Sequence, residues 1–233
     1  MSNHFPLQKK ALQWVRSQIA IAAEQVQRNP DDIRIVAVTK KFPLSTLDSA
    51  FAAGLHTIGE SRVQEAAVKL PQFTFRNDVE THLIGHLQSN KVRKAVQLFD
   101  VIQTVDTYTL AERINRIAGE EGKQQRIYMQ VNTGADPAKH GATGSEALVM
   151  GRRIADLPNI QLEGIMTIGP VVDNPEDMHS IFRLTRQIRD NLQLEVQSCH
   201  SLSMGMTADY TIAVTEGATH IRLGTALFGA RPV

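Results

Sequence analysis

Ile33-Arg34-Ile35-Val36-Ala37-Val38 is the stretch that decides the fold class, because it is short, β-branched and apolar on both faces apart from Arg34. A strand covered on both sides by other elements has this character, as in a parallel sheet. Pro43 and Ser45 then open a predicted helix, and Gly54 ends it. The first unit is therefore a predicted strand followed by a crossover helix.

The same alternation recurs outward from this unit. A helix over residues 7–28 precedes the first strand, since its apolar residues recur at helical spacing. Further strands are predicted at 56–59, 82–85, 101–104, 126–132, 161–167, 199–203 and 220–223, and helices at 62–70, 89–98, 107–121, 145–155, 175–192, 207–216 and 226–228. This pattern predicts a single α/β domain over residues 1–233, a (β/α)8 TIM-type barrel with an extra N-terminal helix. The alternative is an open doubly wound sheet, which the lack of a glycine-rich dinucleotide fingerprint disfavours.

The composition narrows the class of partners. The 25 basic and 24 acidic residues nearly cancel and form no basic block, so no nucleic-acid partner is predicted. The single cysteine, Cys199, allows no internal disulfide and fits a reducing compartment. With no signal-peptide pattern and no apolar stretch near the roughly 20 residues of a membrane span, we expect a cytoplasmic protein without membrane contact. No spaced set of histidines and cysteines predicts a metal site.

Lys40 is the chemically unusual residue at the end of the first predicted strand. The working residues of such a barrel lie where its strands end. Desolvation at that position favours the neutral amine, which attacks carbonyl groups and forms Schiff bases. The alternatives are an ordinary solvated lysine or a role for its neighbour Lys41.

The ends of the seventh and eighth predicted strands offer a phosphate cradle. Residues 203–207 (SMGMT) and 223–226 (LGTA) supply glycines, hydroxyls and backbone N–H groups before a predicted helix. Simple helix caps at Thr207 and Thr225 are the alternative interpretation. Since the first and eighth strands of a closed barrel are neighbours, a ligand with an aldehyde and a phosphate would join Lys40 to this cradle. Pyridoxal 5′-phosphate (PLP) is such a molecule.

Five motifs resemble those of a known family, the pyridoxal phosphate homeostasis proteins, in order and over nearly the whole chain. They are VTK (38–40), GESRVQE (59–65), HLIGHLQSNK (82–91), SMGM (203–206) and IRLGTALFGAR (221–231). The resemblance implies a PLP-binding barrel like the N-terminal domain of alanine racemase, the fold-type III PLP scaffold. The residues that it implies for the cofactor are Lys40, Ser61, His82, Met166, Ser203, Gly205, Met206, Arg222, Gly224 and Thr225.

The resemblance also implies individual roles. Lys40 would carry PLP as a Schiff base, and Arg222 would face the pyridine nitrogen and keep it unprotonated. His82 and Met166 would line the ring, although a core histidine and a core methionine are the alternatives from the residues alone. Ser203, Gly205, Gly224 and Thr225 would hold the phosphate.

Two further positions bear on how PLP is held. Ser61 and Arg62 stand where the family usually has Asn-Tyr, and the shorter serine predicts a more loosely held ring. Lys139 matches a family lysine in a loop that helps PLP move on or off.

The implied function is a non-enzymatic carrier that buffers PLP in the cell and makes transient contact with PLP-dependent apo-enzymes, as a monomer or weak dimer. Alanine racemases add a β domain and use a tyrosine base, whereas this chain ends soon after the barrel. Tyr108, Tyr128 and Tyr210 follow no predicted strand end, so no catalytic residue is predicted. The alternatives are a small PLP-dependent racemase or lyase, and a lysine-dependent aldolase without PLP.

Overall fold

Eight parallel strands close into a barrel whose strand order follows the chain, β1 to β8, with β8 pairing back to β1. The computed structural model describes residues 7–230, with the backbone alone for Ser145. Arg231, the last residue of the final motif, lies outside the described residues. The strands are β1 (Arg34–Val38), β2 (Thr57–Glu60), β3 (Glu80–Leu83), β4 (Val101–Val105), β5 (Gln125–Val131), β6 (Ile160–Thr167), β7 (Ser201–Ser203) and β8 (His220–Leu223). The predicted TIM-type barrel is thereby confirmed.

Helices on the outside connect the strands, as the right-handed crossover rule requires. They are α1 (Lys9–Glu24), α2 (Leu44–Ala52), α3 (Val63–Lys69), α4 (Val92–Leu98), α5 (Tyr108–Glu120), α6 (Gly144–Ala155), α7 (Pro175–Gln193), α8 (Tyr210–Thr215) and α9 (Thr225–Phe228). Short 3-10 turns occur at 30–32, 70–72, 76–78 and 89–91.

Two separate apolar cores follow from the two-residue period of the strands. Ala37 and Leu223 belong to the large core between the barrel and its helices. Val101, Tyr128 and Met166 form a small cluster of their own inside the barrel. The interior is narrow at β2, where a Cβ on Gly59 would stand 2.8 Å from Val36 Cγ1. Glycine is therefore required there by close packing inside the barrel.

Helix α1 is extra to the barrel and packs on the outside against α8 and α9. Its buried residues include Leu12, Val15 and Ile19, at the spacing of one helix face. The N–H of Gln8 donates to Leu227 O at 3.3 Å and fixes its start to α9. Among residues 7–230, no helix is both long and apolar enough to cross a bilayer.

Strand β3 begins at Glu80, two residues before the predicted start, and ends at Leu83. The predicted strand starts at residue 82, because the charged Glu80 does not fit an apolar strand pattern. Its carboxylate is paired inside the barrel with Arg126, at 2.7 Å, so the charge is compatible with a strand.

Candidate functional site

Lys40 lies at the carboxyl end of β1, where β1 runs beside β8. The register pairs Ala37 with Leu223, so the next residues of both strands meet at the barrel mouth. A Cβ on Gly224 would lie 3.5 Å from the Cβ of Val38, two residues before Lys40. Lys40 therefore lies at this mouth, in the turn that follows β1, where it is half-buried.

The turn that carries Lys40 is held by hydrogen bonds from both sides. Lys41 has a left-handed backbone, with φ of 64°. Its N–H donates to Glu65 Oε1 at 2.6 Å, and the N–H of Phe42 donates to Thr39 O at 3.0 Å. A strained turn persists only when its surroundings over-determine it, and these contacts do so.

Lys69 of α3 is a buried cation that braces the same turn from below. Its Nζ donates to Thr39 O at 2.9 Å and to Phe42 O at 3.0 Å, the carbonyls on either side of Lys40. It also pairs with Glu60 Oε1 at 2.7 Å and with Glu65 Oε1 at 3.0 Å. Lys69 therefore links the Lys40 turn to two carboxylates.

Glu60 is the buried anion of this arrangement. Thr39 Oγ1 donates to its Oε1 at 2.6 Å, while its Oε2 has no partner among the described residues. Burial raises the pKa of Glu60, and Lys69 beside it acts in the opposite direction. Neither Glu60 nor Lys69 has a role predicted from the sequence, although Glu65 and Lys69 stand one helical turn apart.

Gly205 follows β7 at the mouth and needs to be glycine. Its φ is +89°, and a Cβ there would stand 2.5 Å from Ala213 Cβ. The N–H of Gly205 makes no hydrogen bond to the residues that the structure describes. An N–H group without a hydrogen-bond partner at a strand end can donate to a phosphate oxygen.

The helix after β7 begins later than predicted. Residues 207–209 form a turn and α8 starts at Tyr210, so the predicted helix start at Thr207 is wrong, and so is the alternative interpretation of Thr207 as a helix cap. The reason is Asp209, whose Oδ1 accepts the N–H of Met206 at 2.6 Å and holds the turn. The N–H of Met206 therefore already donates to Asp209, and the side chain of Met206 is partly exposed.

Gly224 and Thr225 form the neighbouring edge of the mouth, directly after β8. Gly224 is at the N-cap position of the short helix α9, and the N–H groups of Leu227 and Phe228 donate to its carbonyl, both at 2.9 Å. Thr225 is exposed at the start of α9. Strand order therefore brings Lys40, Gly205 and Thr225 to adjacent strand ends.

Arg222 is buried one layer below the mouth. Its Nη1 donates to Ser203 Oγ at 2.9 Å, and its Nη2 donates to Thr167 O at 2.8 Å. Burial lowers the pKa of Arg222 to about 10, which leaves the guanidinium charged near neutrality. Ser203 Oγ is thus occupied by Arg222 rather than exposed at the mouth.

A chain of hydrogen bonds runs from Arg222 down the barrel. Ser203 Oγ donates to Gln103 Oε1 at 2.6 Å, and Gln103 Nε2 reaches His82 Nδ1 at 2.5 Å. His82 Nε2 in turn contacts Glu80 Oε1 at 2.5 Å. These partners assign the donor hydrogen of His82 to Nε2. His82 is fully buried, in the interior position expected of it.

Glu80 ends this chain at an ion-pair cluster near the other end of the barrel. Arg126 pairs with Glu80 at 2.7 Å and with Glu163 at 2.9 Å. Burial alone would raise the pKa of Glu80, but hydrogen bonds from His82 and Arg126 hold it below its ordinary value. Gln103, Glu80 and this cluster are not predicted from the sequence, in which a glutamine within the apolar run of β4 is the signal for a polar barrel interior.

Met166 and Ser61 complete the predicted set at different depths. Met166 is fully buried beside Tyr128 inside the barrel. Ser61 is half-buried and lines a pocket of about 610 Å³ at the mouth, together with Gly85 and His86. The structure therefore brings the predicted residues to one end of the barrel and to the interior below it.

Another pocket, of about 800 Å³, lies at the opposite end of the barrel under α1. Arg16, Arg34, His56 and Glu80 are among the residues that line it. It is separated from Lys40 by the length of β1, and parallel barrels carry their chemistry at the carboxyl ends of the strands. We therefore assign the functional site to the mouth.

Comparisons with known proteins agree with the fold and with the motifs. The family described as "Alanine racemase, N-terminal domain" matches residues 12–232. A pyridoxal phosphate homeostasis protein of Vibrio alginolyticus is 34% identical over 223 residues, which cover 94% of this chain and 96% of that protein.

Two solved structures are similar. PipY of Synechococcus elongatus, with PLP bound, is 37% identical at a TM-score of 0.81, covering 92% of this chain and 100% of that one. An alanine racemase of Clostridium difficile is 16% identical at a TM-score of 0.76, covering 96% of this chain and 58% of the racemase. The second similarity concerns the fold alone.

Proposed function

The chain belongs to the alanine racemase N-terminal domain family and, within it, to the pyridoxal phosphate homeostasis proteins, and from this premise we propose that it binds PLP on Lys40 and serves PLP homeostasis. One observation carries the assignment of residues. Lys40, Gly205 and Gly224 lie at the ends of strands that are neighbours in the closed barrel.

The residues present fit PLP. When bound, PLP supplies an aldehyde that reacts reversibly with an amine and a phosphate that accepts N–H donors. Lys40 offers the amine on a turn fixed by Lys69, and Gly205 offers a backbone N–H that makes no hydrogen bond to the described residues. Gly224 and Thr225 complete the phosphate side in this proposal.

The other predicted residues take supporting roles. Arg222 is positioned by Ser203 and Thr167 and would hold the pyridine nitrogen unprotonated. His82 and Met166, both buried below the mouth, would line the ring from the barrel side. Ser61 and Met206 would contact the ring and the phosphate side at the rim, where each retains exposed surface.

We propose a carrier without catalytic activity of its own, and the three tyrosines support this. Tyr128 is buried inside the barrel, and burial raises its pKa. Tyr108 lies under Arg153 on the outside, 3.7 Å from its ring centroid to the guanidinium carbon. Burial also raises the pKa of Tyr210. None of the three is prepared to act as a base beside Lys40.

In the cell, the proposed role of the protein is to buffer PLP in the cytoplasm. Lys40 is half-buried, so it is reachable from solvent and the bond to PLP can form and open reversibly. The protein would pass PLP to apo-enzymes in transient contacts, as a monomer or weak dimer.

An absorbance spectrum with borohydride reduction tests the role of Lys40. Purified protein mixed with PLP should absorb as a Schiff base, and reduction followed by peptide mapping should place the label on Lys40. Lys40→Ala should lose this signal yet keep its unfolding midpoint, because a half-buried strand-end lysine contributes little to the core. Lys41→Ala, which removes the exposed neighbour, is the matched control and should behave like the wild type. Label on Lys41 instead would refute the assignment.

The exchange of the α-proton of D- or L-alanine separates a carrier from a racemase. We expect the PLP-loaded protein to exchange this proton no faster than free PLP does. Exchange at an enzyme-like rate that Lys40→Ala abolishes would establish the alternative, a small PLP-dependent racemase or lyase.

A further inference from the structure

Three loops at the mouth bring two imidazoles and a carboxylate together on the side away from Lys40. His86 follows β3, Asp106 follows β4, and His140 lies in the loop after β5. One candidate ligand atom from each side chain lies within 4.8 Å of the other two. The proposed phosphate side involves β7 and β8, so this cluster is separate from it.

The distances within the cluster suit a shared ion better than hydrogen bonds. The Nδ1 atoms of His86 and His140 each lie 3.5 Å from Asp106 Oδ2. N–H···O hydrogen bonds are shorter, about 2.7 to 3.2 Å. Metal–ligand bonds of about 2.0 to 2.2 Å place neighbouring ligand atoms of a tetrahedral zinc about 3.3 to 3.6 Å apart. The observed separations are those of two ligand edges of such a tetrahedron.

The arrangement of the side chains leaves an open coordination position. The Asp106 side chain is 8% exposed, while those of His86 and His140 are 49% and 59% exposed. The two imidazole rings stack at 4.2 Å with 15° between their planes, so their in-plane lone pairs are nearly parallel and one ring has to turn before both Nδ1 atoms bind one ion. Half-exposed imidazoles can turn toward an ion, and a water molecule can take the remaining position.

Hydrogen bonds tie the backbone at or next to each histidine to a neighbouring strand before any ion binds. Thr104 Oγ1 donates to Gly85 O at 2.8 Å and ties the His86 loop to β4. Gln130 Nε2 donates to His140 O at 2.9 Å, and the N–H of Ala142 donates to Gln130 O at 3.0 Å. A pre-organised set of ligands loses less entropy on binding.

We infer that His86, Asp106 and His140 form a binding site for one divalent transition-metal ion, with Zn²⁺ as the best match. Imidazole nitrogen and carboxylate oxygen are donors that zinc accepts, and three protein ligands with one open position is a known zinc arrangement. Hard ions such as Mg²⁺ prefer all-oxygen sites and do not fit the two imidazoles.

An ion at this site would also constrain the neighbouring loop. Lys139 precedes His140, and its Nζ donates to Gly169 O at 2.5 Å, in the segment after β6. Asn132 Nδ2 donates to Asp136 O at 2.8 Å at the start of the loop. Zn²⁺ on His140 would therefore stiffen residues 132–142 between two fixed ends.

Calorimetric titration of the untagged, PLP-free full chain with ZnCl₂ tests the site. We expect one Zn²⁺ per chain, and Co²⁺ in its place should give the visible absorption of a tetrahedral ion. Asp106→Asn, His86→Asn and His140→Asn should each weaken Zn²⁺ binding at least 10-fold, since even changes around metal ligands cost 10- to 100-fold. His200→Asn, which removes an exposed histidine elsewhere, is the matched control and should leave binding unchanged.

Hydrogen exchange gives a second readout, in which Zn²⁺ should slow exchange within 132–142 in the wild type but not in Asp106→Asn. Equal Zn²⁺ affinity in the wild type and Asp106→Asn, or loss of binding in His200→Asn, would overturn the assignment. Unchanged exchange in a zinc-bound wild type would overturn the effect on the loop. Lys40→Ala should still bind Zn²⁺. The PLP proposal is tested with Lys40→Ala and the zinc site with the Asp106, His86 and His140 variants, so the failure of one is distinguishable from the failure of the other.

Discussion

Replacing Lys69 by methionine should destabilise the protein strongly and loosen the turn that carries Lys40. Methionine keeps the approximate length of the side chain and removes the ammonium group, which lies within hydrogen-bond distance of four oxygens, two of them the carboxylate oxygens of its ion pairs. Glu60, whose side chain is 1% exposed, would then be buried without its counter-ion. Removing one partner of a buried ion pair costs about 3 to 5 kcal/mol. For a chain of this size, that corresponds to a drop in Tm of about 6 to 20 °C.

Urea unfolding followed by circular dichroism measures the loss at a fixed pH. Lys94→Met removes an exposed lysine of α4 and should change the unfolding free energy by no more than about 0.5 kcal/mol. Adding Glu60→Gln to Lys69→Met removes the unpaired carboxylate and should recover part of the loss. PLP binding to Lys69→Met should weaken as well, because Thr39 O and Phe42 O lose their shared donor.

The pH dependence of this variant has a definite sign. Burial raises the pKa of Glu60 in the folded protein, and loss of Lys69 removes the opposing influence. A carboxyl whose folded pKa is raised gains stability as the pH falls, because the folded state then binds the extra proton. The deficit of Lys69→Met relative to the wild type should therefore be smaller at pH 5 than at pH 8. A loss below 1 kcal/mol, or a double variant less stable than Lys69→Met, would refute this reasoning.

Two further predictions concern the mouth and the barrel interior. Gly205→Ala should lose about 2 to 4 kcal/mol, from the left-handed backbone and the contact with Ala213, and should weaken PLP binding. The matched control is Gly122→Ala, because Gly122 has a φ of +67° and open space around it. This variant should lose only the free energy of the left-handed backbone, about 1 to 2 kcal/mol. Equal losses of unfolding free energy for the two variants in urea would contradict the steric explanation. Burial lowers the pKa of His220 to about 3 in the folded protein. Below pH 6.5 the unfolded chain therefore binds a proton that the folded protein does not. The free energy of unfolding should decrease there by up to about 1.4 kcal/mol for each unit that the pH is lowered. Urea midpoints at pH 7.5, 6.5 and 5.5 should fall less in His220→Asn, and an equal fall would exclude His220 as the cause.

The barrel was predictable because short, mostly apolar runs alternate with segments of helical spacing along the chain. Ile33–Val38 has this character, and only Arg34 interrupts it. Boundaries shifted where a polar side chain is satisfied by a tertiary partner, which the local sequence does not reveal. Glu80 joins β3 because Arg126 pairs with it, and Thr207 stays out of α8 because Asp209 binds the turn.

The two ends of the proposed PLP site were predictable, since a lysine and a glycine at strand ends are visible in the sequence. The role of Lys69 was not predictable, because it depends on four acceptors that the turn after β1, strand β2 and helix α3 bring together. The His86, Asp106 and His140 cluster has no motif, because each residue comes from a different loop and only barrel closure makes them neighbours. Residue spacing predicts sites that lie within one helix or strand. The contacts of Lys69 and the His86, Asp106 and His140 cluster each join several elements, so spacing does not reveal them.

The polar residues inside the barrel hold Arg222 in place more than they stabilise the fold. Arg222, Ser203, Gln103 and His82 fill space that apolar side chains could fill, and buried ion pairs such as that of Glu80 add little net stability over such packing. Each member nevertheless has its partner, so the whole chain of contacts has one arrangement of donors and acceptors. Arg222 is the last member toward the mouth, and its guanidinium is held from two sides at a fixed depth below Lys40 and Gly205. A cation so held would present a charge to the ring nitrogen of bound PLP without donating a proton readily, which is the role proposed for Arg222.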